Sequence, residues 1–310
     1  MDIKNASKQA SLINNLPLLA SQVVEGFISG IHKSPFHGYS AEFAEHKLYN
    51  KGESTKHIDW KLFAKTDKLY TKKYEEETNL RCHFILDQSS SMYYPEYDQI
   101  NIEQLNKVSF SALSIACIMQ LLKKQRDAAG ISIYDEQLNF QAREKGSDRH
   151  FRMIYGKLEE VIQQRNESYT TNTYKFLHEI AENLKRRSLV FLFSDLFQND
   201  VSKSELFEAL RHLKYNKHQV VLFHTLDYKT EVNFDFGDSP KRFFDLETGS
   251  KIDLYADQIE KDYKQKMSEY IEELKLTCAK YKIRYVDTDI RENFEKVLST
   301  YLVETQKLNA

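Results

Sequence analysis

From residue 80 onward the chain alternates short apolar runs with longer amphipathic stretches, and this rhythm constrains the fold more than any other feature. LRCHFIL (80–86), AGISIY (129–134), SLVFLF (188–193) and QVVLFH (219–224) read as strands, with a last one over 283–286. Between them, 101–124, 149–164, 173–185, 202–213, 261–281 and 293–302 carry apolar residues at helical spacing, as at Phe176, Leu177, Ile180 and Leu184. Strands alternating with helices of this length require right-handed crossovers and a mostly parallel sheet covered on both faces. The predicted class is therefore α/β, doubly wound, over residues 80–310. The rhythm breaks between 231 and 254, where Val232, Phe234 and Phe236 followed by Phe243 and Phe244 predict an inserted β-hairpin turning near Gly237–Pro240.

Residues 1–79 behave differently. A helix is expected near 10–27, followed by an aromatic stretch over 34–76 that includes Phe36, Phe43, Trp60 and Tyr74 but lacks any sustained period. Burying one large side chain is worth roughly 1.5–3 kcal/mol, so this extension is expected to pack on the sheet domain, Trp60 included.

Composition removes several function classes. With 44 Lys+Arg against 46 Asp+Glu the formal charge is −2, which gives no electrostatic reason to expect nucleic acid as a partner. Three widely spaced cysteines, Cys82, Cys117 and Cys278, argue for a reducing compartment, and no secretory signal or span of about 20 apolar residues is visible. A cytoplasmic protein is expected. No two of the nine glycines are separated by a single residue, which excludes a G-x-G-x-x-G dinucleotide loop, and no P-loop is present.

The chemistry gathers at the ends of the strands. In an open parallel sheet, ligands collect beyond the carboxyl ends of the strands. Asp87, Ser89 and Ser91 follow the first strand at i, i+2 and i+4, a spacing that lets a tight turn bring one carboxylate and two hydroxyls together. Asp195 follows SLVFLF, and the 170–173 run Thr-Thr-Asn-Thr precedes a helix on the same edge. Turn and capping chemistry accounts for each piece singly. Taken together they form an oxygen-rich set suited to a hard cation such as Mg²⁺.

Asp87-x-Ser89-x-Ser91, Thr171 and Asp195 resemble the metal-ion-dependent adhesion site of von Willebrand factor A domains. Upstream, Ser34-Pro35-Phe36-His37-Gly38, Lys51-Gly52-Glu53 and His57-Ile58-Asp59-Trp60, with Arg126–Ile131 further on, resemble the bacterial family called domain of unknown function 58. The resemblance implies a von Willebrand factor A-like fold and a site that holds Mg²⁺ or Mn²⁺ through Asp87, Ser89, Ser91, Thr171 and Asp195. A carboxylate from a protein partner would complete that site. It also implies association with a MoxR-type AAA+ ATPase and related von Willebrand A-like proteins. A non-enzymatic interaction module is expected. The competing reading is a Mg²⁺-dependent hydrolase or phosphatase with Asp87 as nucleophile. Phosphatases of the haloacid dehalogenase type use D-x-D, however, and Ser89 stands where their second aspartate supplies the acid/base.

Overall fold

The structure, a computed structural model, describes residues 11–12, 15–31, 46–48, 60–66, 68–72, 80–135, 137–164, 173–185, 187–197, 203–215, 217–236, 241–244, 251–254 and 256–309. Six strands form its main sheet: β3 (Arg81–Asp87), β4 (Ala128–Tyr134), β5 (Leu138–Lys145), β6 (Leu189–Ser194), β7 (Gln219–Leu226) and β10 (Arg284–Asp289). The spatial order is β10-β7-β6-β3-β4-β5, and every neighbouring pair is parallel except the β4–β5 hairpin. Two short antiparallel pairs stand apart from it, β1 (His46–Leu48) with β2 (Tyr70–Lys72), and β8 (Lys241–Phe244) with β9 (Lys251–Leu254).

Strand position explains strand composition. β3 and β6 lie at the centre, are covered on both faces, and read as continuous apolar runs. Alternate residues serve opposite layers. Phe84, Phe191, Phe193 and Phe223 face one core, while Ile85, Val190, Leu192 and Leu222 face the other. Both outermost strands are polar on one side. β5 exposes Asn139, Gln141, Arg143 and Lys145, and β10 carries the half-buried Asp287 and Asp289 on one side, with Arg284 exposed at its start. Gly130 in β4 lies so close to its neighbours that a Cβ would come within 2.8 Å of both the Ala142 carbonyl oxygen and His83 Nδ1.

Helices cover both faces. One layer holds α1 (Leu16–Ile31), α3 (Lys107–Gln125), α4 (Asp148–Gln163) and α8 (Glu295–Asn309). The other holds α5 (Thr173–Asn183), α6 (Lys203–Tyr215) and α7 (Ala256–Lys280). A remaining short helix, α2 (Trp60–Thr66), lies in the upstream segment. This is a mixed, mostly parallel sheet flanked by helices, the α/β class expected. Of the 34–76 stretch the structure describes only 46–48, 60–66 and 68–72; Phe63 is half-buried, and the expected docking of the other aromatic residues, Trp60 among them, lies outside the described side chains.

Three expected boundaries differ from those observed, each for a local reason. The first helix begins at Leu16 rather than near residue 10. Pro17 lacks an N–H and is tolerated only in a first turn. The helix expected from Asn101 begins at Lys107. The Asn101 side chain accepts the N–H groups of Glu103 and Gln104 in a turn of its own, and Asn106 caps the helix through a reciprocal pairing with Ser109. Val232, Phe234 and Phe236 are not a strand. Tyr228–Val232 forms a wide helical turn, and Phe234 takes a left-handed backbone (φ 52°) that buries its ring on Tyr263. The antiparallel pair that does form connects through 245–250, so both of its strands follow Gly237–Pro240.

Helix α1 is an integral part of the body. Leu16, Leu19, Ala20 and Val24 are buried in the core beside α3. The Leu16 N–H donates to Glu159 Oε1 of α4 at 3.1 Å, and Gln120 of α3 donates to the Pro17 carbonyl at 3.0 Å. Leu19→Ala is expected to destabilise the chain by about 2–5 kcal/mol, as buried leucine truncations do. Urea denaturation monitored by circular dichroism checks this, and a loss below 1 kcal/mol would show that α1 only rests on the surface.

Candidate functional site

The carboxyl edge of the sheet brings together four of the five residues singled out in the sequence. Asp87 ends β3 and is buried. Its Oδ1 accepts the Ser89 N–H at 2.9 Å and its Oδ2 accepts the Ser194 hydroxyl at 2.6 Å. The next turn is a short 3₁₀ helix over Ser90–Tyr93, which folds Ser91 back so that its Oγ lies 3.1 Å from Ser89 Oγ. Asp195 follows β6, equally buried, and its Oδ1 accepts the Phe197 N–H at 3.3 Å. Thr171 lies outside the described residues.

Three further residues join the site. Ser194, the last residue of β6, holds Asp87. Lys107, the first residue of α3, is fully buried, and its Nζ donates to Asp195 Oδ2 at 2.7 Å and to Glu231 Oε1. Phe197 and Tyr94 wall this ammonium, with ring centroids 5.0 and 5.9 Å away. Glu231 comes from the helical turn after β7, and its other oxygen accepts the Asp227 N–H at 2.7 Å. In the sequence only Ser194 carried a signal, as the polar residue closing an apolar strand. Nothing marks Lys107 at the head of a buried helix or Glu231 in what reads as a hairpin.

Burial sets the electrostatics. It pushes the Asp87 carboxyl up to about 6, the nearby Asp195 adds to the rise, and the hydrogen bonds from Ser194 and Ser89 oppose it. Burial also raises Glu231, against the pull of Lys107. For Lys107 the loss of hydration favours the neutral amine, but Asp195 and Glu231 outweigh it and hold the ammonium above its usual value. The lysine is thus the fixed charge of the cluster.

His224 of β7 braces the edge from behind. Burial holds it down to about 4, so the ring is neutral. Its Nε2 lies 2.8 Å from the Asp195 carbonyl oxygen, which only accepts, so Nε2 carries the proton and Nδ1 accepts the Tyr285 hydroxyl at 2.8 Å. The Asp195 backbone is thereby fixed. Asp227, next along the edge, receives Arg291 at 2.5 and 2.8 Å in a two-pronged contact.

When ionised, three carboxylates (Asp87, Asp195 and Glu231) face one ammonium, so among the described residues two negative charges remain without a cation. Lys107 meets Asp195 and Glu231, while Asp87 has only neutral hydrogen bonds from Ser194 and Ser89. One excess charge therefore stays with the Asp195–Glu231 pair, and the other lies at Asp87, on the side of the Ser89 and Ser91 hydroxyls. Among the described residues no three His, Cys, Asp or Glu side chains are arranged to hold a metal on their own. A cation here would depend on hydroxyl oxygens beside a carboxylate, a donor set that fits a hard dication.

His83 of β3 bridges Glu144 at 2.7 Å and Ser132 at 2.8 Å inside the sheet, and all three cysteines are buried free thiols, with Cys117 Sγ donating to the Ala20 carbonyl at 3.9 Å. No described helix is long and apolar enough to cross a membrane.

No curated protein matches the chain. Among solved structures, the conserved hypothetical protein BatB from Bacteroides thetaiotaomicron is 13% identical, with 74% of this chain and 99% of that one covered at a TM-score of 0.44. An aerotolerance-related membrane protein from Bacteroides fragilis is also 13% identical, with 74% and 98% covered at 0.42. The family described as Protein of unknown function DUF58 matches residues 45–272, from β1 into α7, a span that includes Asp87, Ser89, Ser91, Lys107, Ser194, Asp195 and Glu231. The chain belongs to the DUF58 family.

Proposed function

We propose that this chain is a von Willebrand factor A-like module of the cytoplasm that binds another protein through a divalent cation, Mg²⁺ or Mn²⁺, and catalyses no reaction of its own. Asp87, Ser89 and Ser91 would hold the cation, with Thr171 and Asp195 completing the set directly or through water. The observation that carries this reading is the buried Asp87 carboxylate, which accepts the Ser89 N–H and lies beside the paired Ser89 and Ser91 hydroxyls and Asp195, where negative charge exceeds what Lys107 neutralises. The cation would supply the missing positive charge and one open coordination position. An aspartate or glutamate of the partner suits that position, because a carboxylate is a hard oxygen ligand whose charge the metal offsets. The family resemblance favours a MoxR-type AAA+ ATPase as the partner, together with related von Willebrand A-like proteins, in the assembly or regulation of protein complexes.

The test is metal-dependent capture. The immobilised chain is expected to retain the purified ATPase in Mg²⁺ and release it on chelation, with Ser91→Ala retaining at least tenfold less. Retention indifferent to chelator overturns the metal-dependent reading.

A further inference from the structure

The opposite edge of the sheet, where the parallel strands begin, carries charge of the other sign. Each turn into β4, β6, β7 and β10 places a basic residue two positions before the strand: Arg126, Arg187, Lys217 and Lys282. All four have left-handed backbones, with φ of 61, 61, 60 and 57°, a conformation that favours glycine or asparagine after a helix. Helix dipoles account for one positive charge near each helix end. They do not account for what gathers between β7 and β10.

There Lys214, Lys217, Lys282, Arg284 and Lys307 line one open cavity of about 450 Å³. Buried Glu304, also in its wall, accepts from Lys307 Nζ at 2.6 Å and from Gln219, so one lysine is neutralised. The other four cations make no ion pair among the described residues. Lys214 is half-buried. Desolvation lowers its ammonium, Glu304 opposes this, and Lys282 adds to the lowering, as expected where cations crowd together. His218 lines the same cavity and is itself buried. Its Nδ1 accepts the Ser188 N–H at 3.2 Å, so the neutral ring carries its proton on Nε2, and that N–H has no hydrogen-bond partner. That N–H is enclosed in the wall rather than open to the cavity, and it is the four unpaired cations lining one concavity that point to an anion.

We propose that this cavity binds a phosphate-type polyanion, namely a diphosphate group, free or as part of a small ligand. A single carboxylate offsets one of the four charges. A phosphate monoester carries about −1.5 to −2, and two linked phosphates approach the full balance. Arg284 adds a planar fork suited to phosphate oxygens. The volume lies within the roughly 300–1,000 Å³ of small-ligand sites. A nucleic-acid backbone would call for a basic stripe on a basic protein, whereas this chain carries a net charge of −2. The site is independent of the carboxyl-edge cluster, since the two lie at opposite ends of the same strands.

Titration calorimetry of the full chain with sodium diphosphate, orthophosphate and sulfate tests the proposal. The titrations use metal-free buffer, because diphosphate chelates Mg²⁺, at an ionic strength of about 0.15 M. Diphosphate is expected to bind at least tenfold more tightly than sulfate, with orthophosphate between them. The double variant Lys214→Gln, Lys282→Gln should lose at least tenfold in diphosphate affinity while its ligand-free melting temperature stays at the wild-type value. Added diphosphate should also shift the ¹⁵N resonance of His218 Nε2. Equal affinity for sulfate and diphosphate, no diphosphate binding at low millimolar concentration, or undiminished binding by the double variant each overturns the assignment.

Discussion

Millimolar Mg²⁺ or Mn²⁺ is expected to raise the melting temperature of the wild-type chain and to leave that of Asp87→Asn unchanged. A ligand bound only by the native state stabilises it by mass action, by about 2.7 kcal/mol at a hundredfold excess over its dissociation constant. Without metal the order reverses. The folded-state value of Asp87 is about 6 against 3.8 for an exposed aspartate, so the native state keeps a proton that the unfolded chain has already released. Stability therefore falls as pH rises from about 4 to about 6, and above this the ionised carboxylate costs about 3 kcal/mol. Asparagine removes that cost but gives up one acceptor oxygen, worth about 1 kcal/mol. Metal-free Asp87→Asn should then exceed wild type by about 1–3 kcal/mol at neutral pH, and this advantage should vanish near pH 4. The metal increment of wild type should fade below pH 6 as Asp87 takes up its proton. Scanning calorimetry across pH, with and without chelator, reads all of this. An equal metal response in both proteins would falsify the assignment.

Lys107→Met is expected to be the most damaging single change at this edge. Methionine fills much the same volume, so the loss is mainly electrostatic: Asp195 and Glu231 are left buried without their cation. Breaking a buried ion pair from one side typically costs about 3–5 kcal/mol. Adding Glu231→Gln should recover part of that loss by removing one of the stranded charges. Saturating Mg²⁺ should narrow the gap between Lys107→Met and wild type, because a bound dication restores positive charge to the same cluster. Urea denaturation at neutral pH measures each difference. A Lys107→Met chain within 1 kcal/mol of wild type would show that Lys107 contributes nothing to the cluster.

The strands were legible because burial on both faces writes an unbroken apolar run into β3, β6 and β7, and few other structures require one. Helix ends were less legible. At Asn101 and Asn106 the same residue type serves once as a turn and once as a cap, and only packing decides between them. The acidic half of the site was readable for the same reason as the strands, since Asp87 and Asp195 stand directly after apolar runs at the edge where ligands gather. Its cationic half was not. Lys107 meets Asp195 across 88 positions and Glu231 across 124, and no local pattern records a meeting set by how α3 and the turn after β7 fold over the sheet. Glu231 was further hidden because the aromatic alternation after it imitates a strand, whereas Phe234 turns inward on a left-handed backbone.

The two outermost strands of the main sheet have a consequence for the protein in concentrated solution. An unsatisfied row of backbone N–H and C=O groups invites another chain to extend the sheet sideways. Arg143 and Lys145 on one flank, and Arg284, Asp287 and Asp289 on the other, would have to be desolvated against a neighbour's copy for that to happen. Growth by strand addition is therefore opposed at both ends of the sheet, which disfavours edge-to-edge association of two copies of this chain.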